Sequence, residues 1–169
     1  LDDYPGALSD LNKSLELNPS YHYALDLSMD IEFDKGTTPS YYSAISYGLR
    51  ALESLNQNDP DRVMINRRLG ESFYNLDMYD KALEYLTEAD TQSEGKDKFW
   101  DARIDLYLGE TYMQLDSLSK GRNFFKSAMD LNGIEDAWIP YSIGFNYQYK
   151  LEDYNEAIKY YNQAVEIDA

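Results

Sequence analysis

Apolar positions recur along this chain at helical spacing, and one arrangement of them returns five times. A Tyr or Leu is followed three positions on by Ala or Gly, four beyond that by a variable and usually large residue, and three further by a small one. The copies are Tyr4/Ala7/Leu11/Ser14, Tyr41/Ala44/Gly48/Ala51, Tyr79/Ala82/Leu86/Ala89, Leu118/Gly121/Phe125/Ala128 and Tyr154/Ala157/Tyr161/Ala164. Positions i, i+3, i+7 and i+10 share one face of an α-helix, so each copy predicts a helix with a single core-facing stripe. A fixed pattern returning at a nearly constant interval predicts a stacked array of like units, whose core is a seam between neighbours.

A second apolar series precedes each later copy. It runs Ile65, Leu69, Gly70, Phe73, Leu76, then Ile104, Leu108, Gly109, Tyr112, Leu115, then Ile143, Gly144, Tyr147, Leu151. The earliest, Ala24, Leu27, Ser28, Ile31, is less marked. Each unit is therefore expected to be a helical hairpin in which Gly70, Gly109 and Gly144 face Ala82, Gly121 and Ala157, small residues that let two helices approach closely. The hairpin turns fall at Leu76-Asp77-Met78-Tyr79, Leu115-Asp116-Ser117-Leu118 and Leu151-Glu152-Asp153-Tyr154. Asp and Ser suit these turns as caps for the N–H groups of the next helix. Asp59-Pro60 predicts a helix start and Asn132-Gly133 a helix stop. Leu1-Asp2-Asp3-Tyr4 repeats the turn pattern, so Leu1 is expected to end a preceding helix and the chain to be part of a longer array. The frame divides the chain into a half unit at 1–20, holding a second helix only, and full units at 21–57, 58–95, 96–133 and 134–169.

These residues resemble the tetratricopeptide repeat. Leu69-Gly70-x-x-Phe73 leading to Ala82-x-x-x-Leu86-x-x-Ala89 follows its pattern closely. Leu108-Gly109-x-x-Tyr112 also follows it, with Gly121 in place of the usual Ala. The closing segment Tyr154 to Ala164 is close to the family consensus, and Leu15-Glu16-Leu17-Asn18-Pro19 matches the usual exit from a unit. The resemblance covers nearly the whole chain. Departures are a longer period, acidic residues at the hairpin turns where Gly is common, Gly48 in place of a large residue, and one extra residue between Gly144 and Ala157. The resemblance implies an all-α, right-handed superhelical solenoid of antiparallel helix hairpins, acting as a protein-interaction scaffold. It also implies a concave groove lined by the first helix of each unit, which binds a peptide or protein segment. Groove positions carried over in this way are Arg67, Arg68, Glu71, Tyr74 and Asn75; Arg103, Glu110, Met113 and Gln114; and Trp138, Tyr141, Phe145 and Tyr149.

Two questions stay open within that set. Arg62, Arg67 and Arg68 form the densest basic cluster, with Arg103 expected on the neighbouring helix. They suit a carboxylate, which an arginine holds through two parallel hydrogen bonds, or they pair internally with Glu71 and Glu110. The aromatic set on the last first helix suits a peptide platform, or packing at a hydrophobic end.

Charge narrows the partners. Fifteen Lys and Arg against 31 Asp and Glu leave a net charge of −16, which disfavours nucleic acid and anionic membranes. Cysteine is absent and His22 is the only histidine, so no thiolate nucleophile, metal constellation or nucleophile–base pair is assembled. The acidic pairs Asp2-Asp3 and Glu135-Asp136 fit helix N-termini, where they interact favourably with the dipole. No catalytic residue, metal site or cofactor is assigned. Two further functions compete with peptide binding. One is self-assembly by end-to-end stacking, since the last helix carries an apolar face with nothing to cover it. The other is service as a sensor or regulatory segment of a larger enzyme or transcription regulator.

Overall fold

The computed structural model describes residues 4–93, 95, 97–132 and 136–169. The turn expected at Leu1-Asp2-Asp3, the stop at Gly133 and the acidic Glu135 lie outside them. The described residues form helices α1 (Tyr4–Leu17), α2 (His22–Asp34), α3 (Thr38–Ser54), α4 (Asp61–Asn75), α5 (Tyr79–Ser93), α6 (Lys98–Gln114), α7 (Leu118–Asn132), α8 (Trp138–Tyr149) and α9 (Tyr154–Ile167). They contain no strand. Two compact units divide the chain, Leu1–Gln92 and Ser93–Ala169.

In the first unit α2 packs on α1 and α3, and α3 on α4. The framed residues Ala44, Ala51, Ala82, Leu86 and Ala89 are buried. Ala7, in the first copy, is exposed. The crossing of α4 and α5 is as close as its small residues predict. A Cβ on Gly70 would lie 2.5 Å from Leu86 Cγ and 3.2 Å from the Leu86 backbone nitrogen. Phe73 stacks on Tyr85 beside it, ring centres 5.3 Å apart.

In the second unit α6 pairs with α7 and α8 with α9, and α8 also packs on α6 and α7. Its core gathers Ala102, Leu106, Met113, Phe125, Ala128, Ile139 and Ile143. Here Gly109 admits the Phe125 ring, which a Cβ would meet at 2.5 Å. Gly144 faces α9 despite the extra residue before it, with Tyr161 and the Ala157 carbonyl 3.0 and 3.2 Å from where its Cβ would stand.

The hairpin turns correct one expectation. Asp77 and Asp116 do not cap the following helix. They take left-handed backbone angles, φ 57° and 56°, and end the preceding one. Met78 N–H donates to the Phe73 carbonyl and Ser117 N–H to the Tyr112 carbonyl, both at 2.9 Å. Asp77 and Asp116 donate to the next carbonyl, closing the paired bonds by which helices commonly stop. Aspartate tolerates this conformation better than most residues. In the last hairpin the junction is one residue longer. Glu152 takes the left-handed position at φ 52°, Asp153 N–H reaches the Tyr147 carbonyl at 2.9 Å, and the Asp153 side chain caps α9 by accepting Glu156 N–H. The extra residue between Gly144 and Ala157 is absorbed in this turn.

Other helix starts follow their sequence signals. Asp97 caps α6 by accepting the N–H groups of Phe99 and Trp100. Thr37 and Ser40 form a reciprocal capping box at α3. Asp59 accepts Asp61 N–H at 3.1 Å, so it serves α4 from one residue outside the cap position, which Pro60 holds.

Candidate functional site

The groove positions on α4 are mostly turned inward. Arg67 and Glu71, four residues apart, are 2% and 1% exposed, and their side chains form a close ion pair. Arg68 completes the network. Its Nε donates to Asp30 Oδ1 at 2.6 Å and a terminal nitrogen donates to Glu71 Oε2 at 3.0 Å. Its guanidinium also lies 4.3 Å from the Phe33 ring centre. A buried charge is tolerated only when paired, and this carboxylate is shared by two arginines. Asn75 is exposed and donates to the Glu71 carbonyl at 2.9 Å. The half-buried Tyr74 meets Tyr79 edge to face. On α2, burial pushes the Asp26 carboxyl up to about 6. Repulsion from Asp30 and Asp61 adds to this, against the pull of Arg68 and Arg67.

Positions on α6 divide similarly. Arg103 Nε donates to Asp136 Oδ2 at 3.0 Å, so its carboxylate partner is Asp136 and not the Glu110 expected from sequence. Glu110 is half-buried and accepts from Asn146 Nδ2 at 3.3 Å. Met113 lies in the core, against Gly121, and does not line a surface. Gln114 is half-buried.

Positions on α8 behave in the opposite way. Trp138, Tyr141, Phe145 and Tyr149 are 49%, 46%, 48% and 62% exposed. Their spacing of 3, 4 and 4 residues makes one stripe. The other face of α8 is buried through Ile139, Ser142, Ile143 and Asn146. The stripe is a run of neighbouring rings, with Trp138 5.6 Å from Tyr141 and Phe145 4.5 Å from Tyr149 between centres. Tyr141 continues onto α9, 5.7 Å from Tyr161, whose hydroxyl donates to Gln148 Oε1 at 2.8 Å. Between the two helices an open groove of about 540 Å³ is lined by Trp138, Tyr141, Tyr161, Ala164 and Val165, with Asp168 at its edge. Sequence reasoning did not place Tyr161, Ala164 and Val165 on a surface groove, because they belong to the frame that in other copies faces a core. The sequence signal for them was the uncovered apolar face of α9, where Ile158 and Val165 stand 57% and 68% exposed.

Elsewhere, His22 Nε2 lies 3.7 Å from Asp61 Oδ2. Among the described residues no three His, Asp or Glu side chains are grouped to hold a metal ion, and no helix is long and apolar enough to cross a membrane.

Antiparallel hairpins built on one recurring small-residue crossing define a helical-repeat protein, an all-α solenoid class. The chain matches the family model described as the tetratricopeptide repeat over residues 141–169. No curated protein matches it in sequence. Solved structures share its fold. MamA from Desulfovibrio magneticus RS-1 is 21% identical, with a TM-score of 0.75 over 98% of this chain and 85% of that one. YrrB, described as a tetratricopeptide-repeat protein with an unusual peptide-binding site, is 22% identical, with a TM-score of 0.68 over 98% and 78%. PilF from Pseudomonas aeruginosa is 20% identical, with a TM-score of 0.74 over 97% and 68%. The chain shares the all-α helical-repeat solenoid fold of these structures, and the family match is carried by residues 141–169.

Proposed function

We propose that this scaffold binds a peptide or protein segment along the aromatic stripe of α8, and that Trp138, Tyr141, Phe145 and Tyr149 are its anchors. The observation that carries this reading is their exposure. Four large rings share one face of a helix whose opposite face is fully packed. Contiguous exposed apolar surface of this kind marks interaction sites, and Trp and Tyr are the commonest anchors in them. The arginines of α4 and α6 are not part of the proposal. Arg67, Arg68 and Arg103 each have an acidic partner inside their own unit, Arg62 donates to the Leu52 carbonyl, and Arg67 is buried with its carboxylate.

Selection from a random-sequence peptide library tests the reading. Peptides enriched on the wild-type chain are expected to lose about thirtyfold in affinity for a Phe145→Ser/Tyr149→Ser variant, the loss expected when anchoring rings are removed. Circular dichroism checks that the variant keeps its helices. Enrichment of the same peptides with unchanged affinity on the variant would remove the stripe as the site.

A second reading, association of copies through α9, draws on exposed Tyr154, Ile158 and Val165. The net charge of −16 opposes it. Sedimentation over a concentration series separates the two, since a strict monomer at high concentration excludes self-association.

A further inference from the structure

We infer that the groove between α8 and α9 takes a basic segment, one in which an aliphatic or lysine stem lies against Trp138, Tyr141 and Tyr161 and a cationic head reaches Asp168. The inference rests on the aromatic stripe being the interaction surface, and it names the chemistry of what lies there.

The lining itself argues for a long, unbranched apolar stem. Ala164 and Val165 floor the groove between the rings, and its volume of about 540 Å³ holds several side chains but is open along its length. Lysine and arginine present such stems while keeping the charged head at the edge of an apolar surface. The rings argue for the charge. Trp138 and Tyr141 turn toward each other at an interplanar angle of 31°, and Tyr141 toward Tyr161 at 48°. All three rings line the one groove, and an aromatic ring attracts a cation through the negative side of its quadrupole. The groove has no basic lining residue, and the one charged side chain on it is the carboxylate of Asp168. The whole chain reinforces the sign. At a net charge of −16 it draws cationic segments in and repels acidic ones.

A neutral apolar helix and a second copy of this chain compete for the same groove. A neutral helix has no charge to offer Asp168, and a second copy brings a further net charge of −16 to the contact.

Three synthetic peptides of one amphipathic sequence decide the matter. They share a leucine stripe and differ at the flanking positions, which are Lys in one, Gln in the second and Glu in the third. Binding is read from the Trp138 indole N–H in proton–nitrogen correlation spectra and by calorimetry at low and at physiological salt. The lysine peptide is expected to shift the Trp138 signal and to bind about tenfold more tightly than the glutamine peptide at physiological salt. The glutamate peptide is expected not to bind. Trp138→Ala and Asp168→Asn should each remove much of the lysine preference. Asp80→Asn, which deletes an exposed carboxylate on α5 in the other unit, should leave it unchanged. Equal binding of the lysine and glutamine peptides at Trp138 overturns the basic occupant and leaves the stripe standing as an apolar site. A lysine preference that falls equally in all three variants marks diffuse charge attraction and overturns the proposal. A Trp138 signal that moves only with protein concentration assigns the groove to a second copy. Should the lysine peptide fail to shift Trp138 while library peptides still depend on Phe145 and Tyr149, the basic occupant alone falls. Failure of both removes the stripe.

Discussion

Helices α4 and α8 hold corresponding places in their hairpins and use the same positions for opposite ends. Measured from the glycine at each crossing, Arg67 corresponds to Tyr141, Glu71 to Phe145 and Asn75 to Tyr149. In α4 the first two are buried charges that close a network with Arg68 and Asp30. In α8 the same two are half-exposed rings with no core to enter. The repeat therefore fixes where a side chain is placed but not what it is for. One unit spends the position on internal charge pairing, while the other leaves it open to solvent. Function is then sought where the frame is satisfied by other residues and large apolar groups remain uncovered.

The largest expected effect breaks the α4 side of this contrast. Glu71→Ala removes the carboxylate shared by Arg67 and Arg68 from beside a guanidinium that is almost wholly buried. Loss of one partner of a buried ion pair costs about 3–5 kcal/mol, to be read from urea-induced unfolding. The double variant Arg67→Met/Glu71→Leu is expected to recover most of that loss, because apolar side chains of similar volume need no partner and Arg68 keeps Asp30. A cost for Glu71→Ala below about 1 kcal/mol, the range of surface pairs, would show that α4 and α8 do not differ in kind.

A smaller effect sharpens the comparison at the crossings themselves. At Gly70 a Cβ would meet the branch point of a fully buried leucine at 2.5 Å. Overpacking of that sort costs about 1–3 kcal/mol, from which the better helix propensity of alanine returns about 1. At Gly144 the nearest atoms are the edge of the Tyr161 ring at 3.0 Å and the Ala157 carbonyl at 3.2 Å, and the ring, which lines the open groove, has to give by only a few tenths of an ångström. Gly70→Ala is expected to lower the unfolding midpoint and Gly144→Ala to leave it nearly unchanged. Equal losses at both would mean that α8 and α9 are packed as tightly as α4 and α5.

The crossings were legible in the sequence because they depend on residue size at a fixed spacing. The frame paired Gly70, Gly109 and Gly144 with Ala82, Gly121 and Ala157; the Gly121 and Ala157 carbonyls do lie at their crossings, while the side chains that fill the space over the three glycines are Leu86, Phe125 and Tyr161. Helix ends were legible in part. Asp97 and Asp153 cap as their residue type suggests, whereas Asp77 and Asp116 turned out to be left-handed helix stops. The same side chain suits both tasks, and only backbone bonding distinguishes them. Burial of the site residues was not legible. Arg67 and Tyr141 occupy one place in the pattern, and whether that place is covered depends on neighbours from other elements. Met113 reads as a surface position by count, yet the absent side chain at Gly121 opens a space that draws it inward. Arg103 took Asp136, more than thirty residues away in sequence, over the nearer Glu110. A partner at that separation leaves no periodic mark on the chain.

Acid titration separates the two regions in another way. The Asp26 carboxyl lies on α2 beside the α4 network, and its pKa is raised to about 6 in the folded chain from an ordinary value of 3.8. A carboxyl raised on folding favours the folded state only while protonated. Its contribution is fully present below about pH 4 and is lost as pH rises through about 6. At pH 7 the ionised group is therefore a liability. Asp26→Asn is expected to stabilise the first unit by on the order of 1 kcal/mol at pH 7 after discounting for solvent screening, with the gain shrinking as pH falls toward 4. Thermal unfolding of both chains across that range checks it. A gain that is constant with pH would trace to packing, and a loss at pH 7 would mean that the Asp26 charge supports Arg67 and Arg68.

The smallest expected effect on stability carries the most weight for function. Phe145→Ser/Tyr149→Ser removes two rings that already face water and stack mainly on each other. Folding gains little from surface of that kind, so the change in unfolding free energy should stay within about 0.5 kcal/mol per residue. Per residue that is about a tenth to a sixth of the loss expected for Glu71→Ala, although Glu71 and Phe145 hold the same place in the repeat. A pair of rings that can be deleted at little cost to the fold, yet whose deletion weakens the binding of selected peptides about thirtyfold, is maintained by what it meets in solution. A destabilisation comparable with that at Glu71 would reverse this conclusion and return α8 to the same structural role as α4.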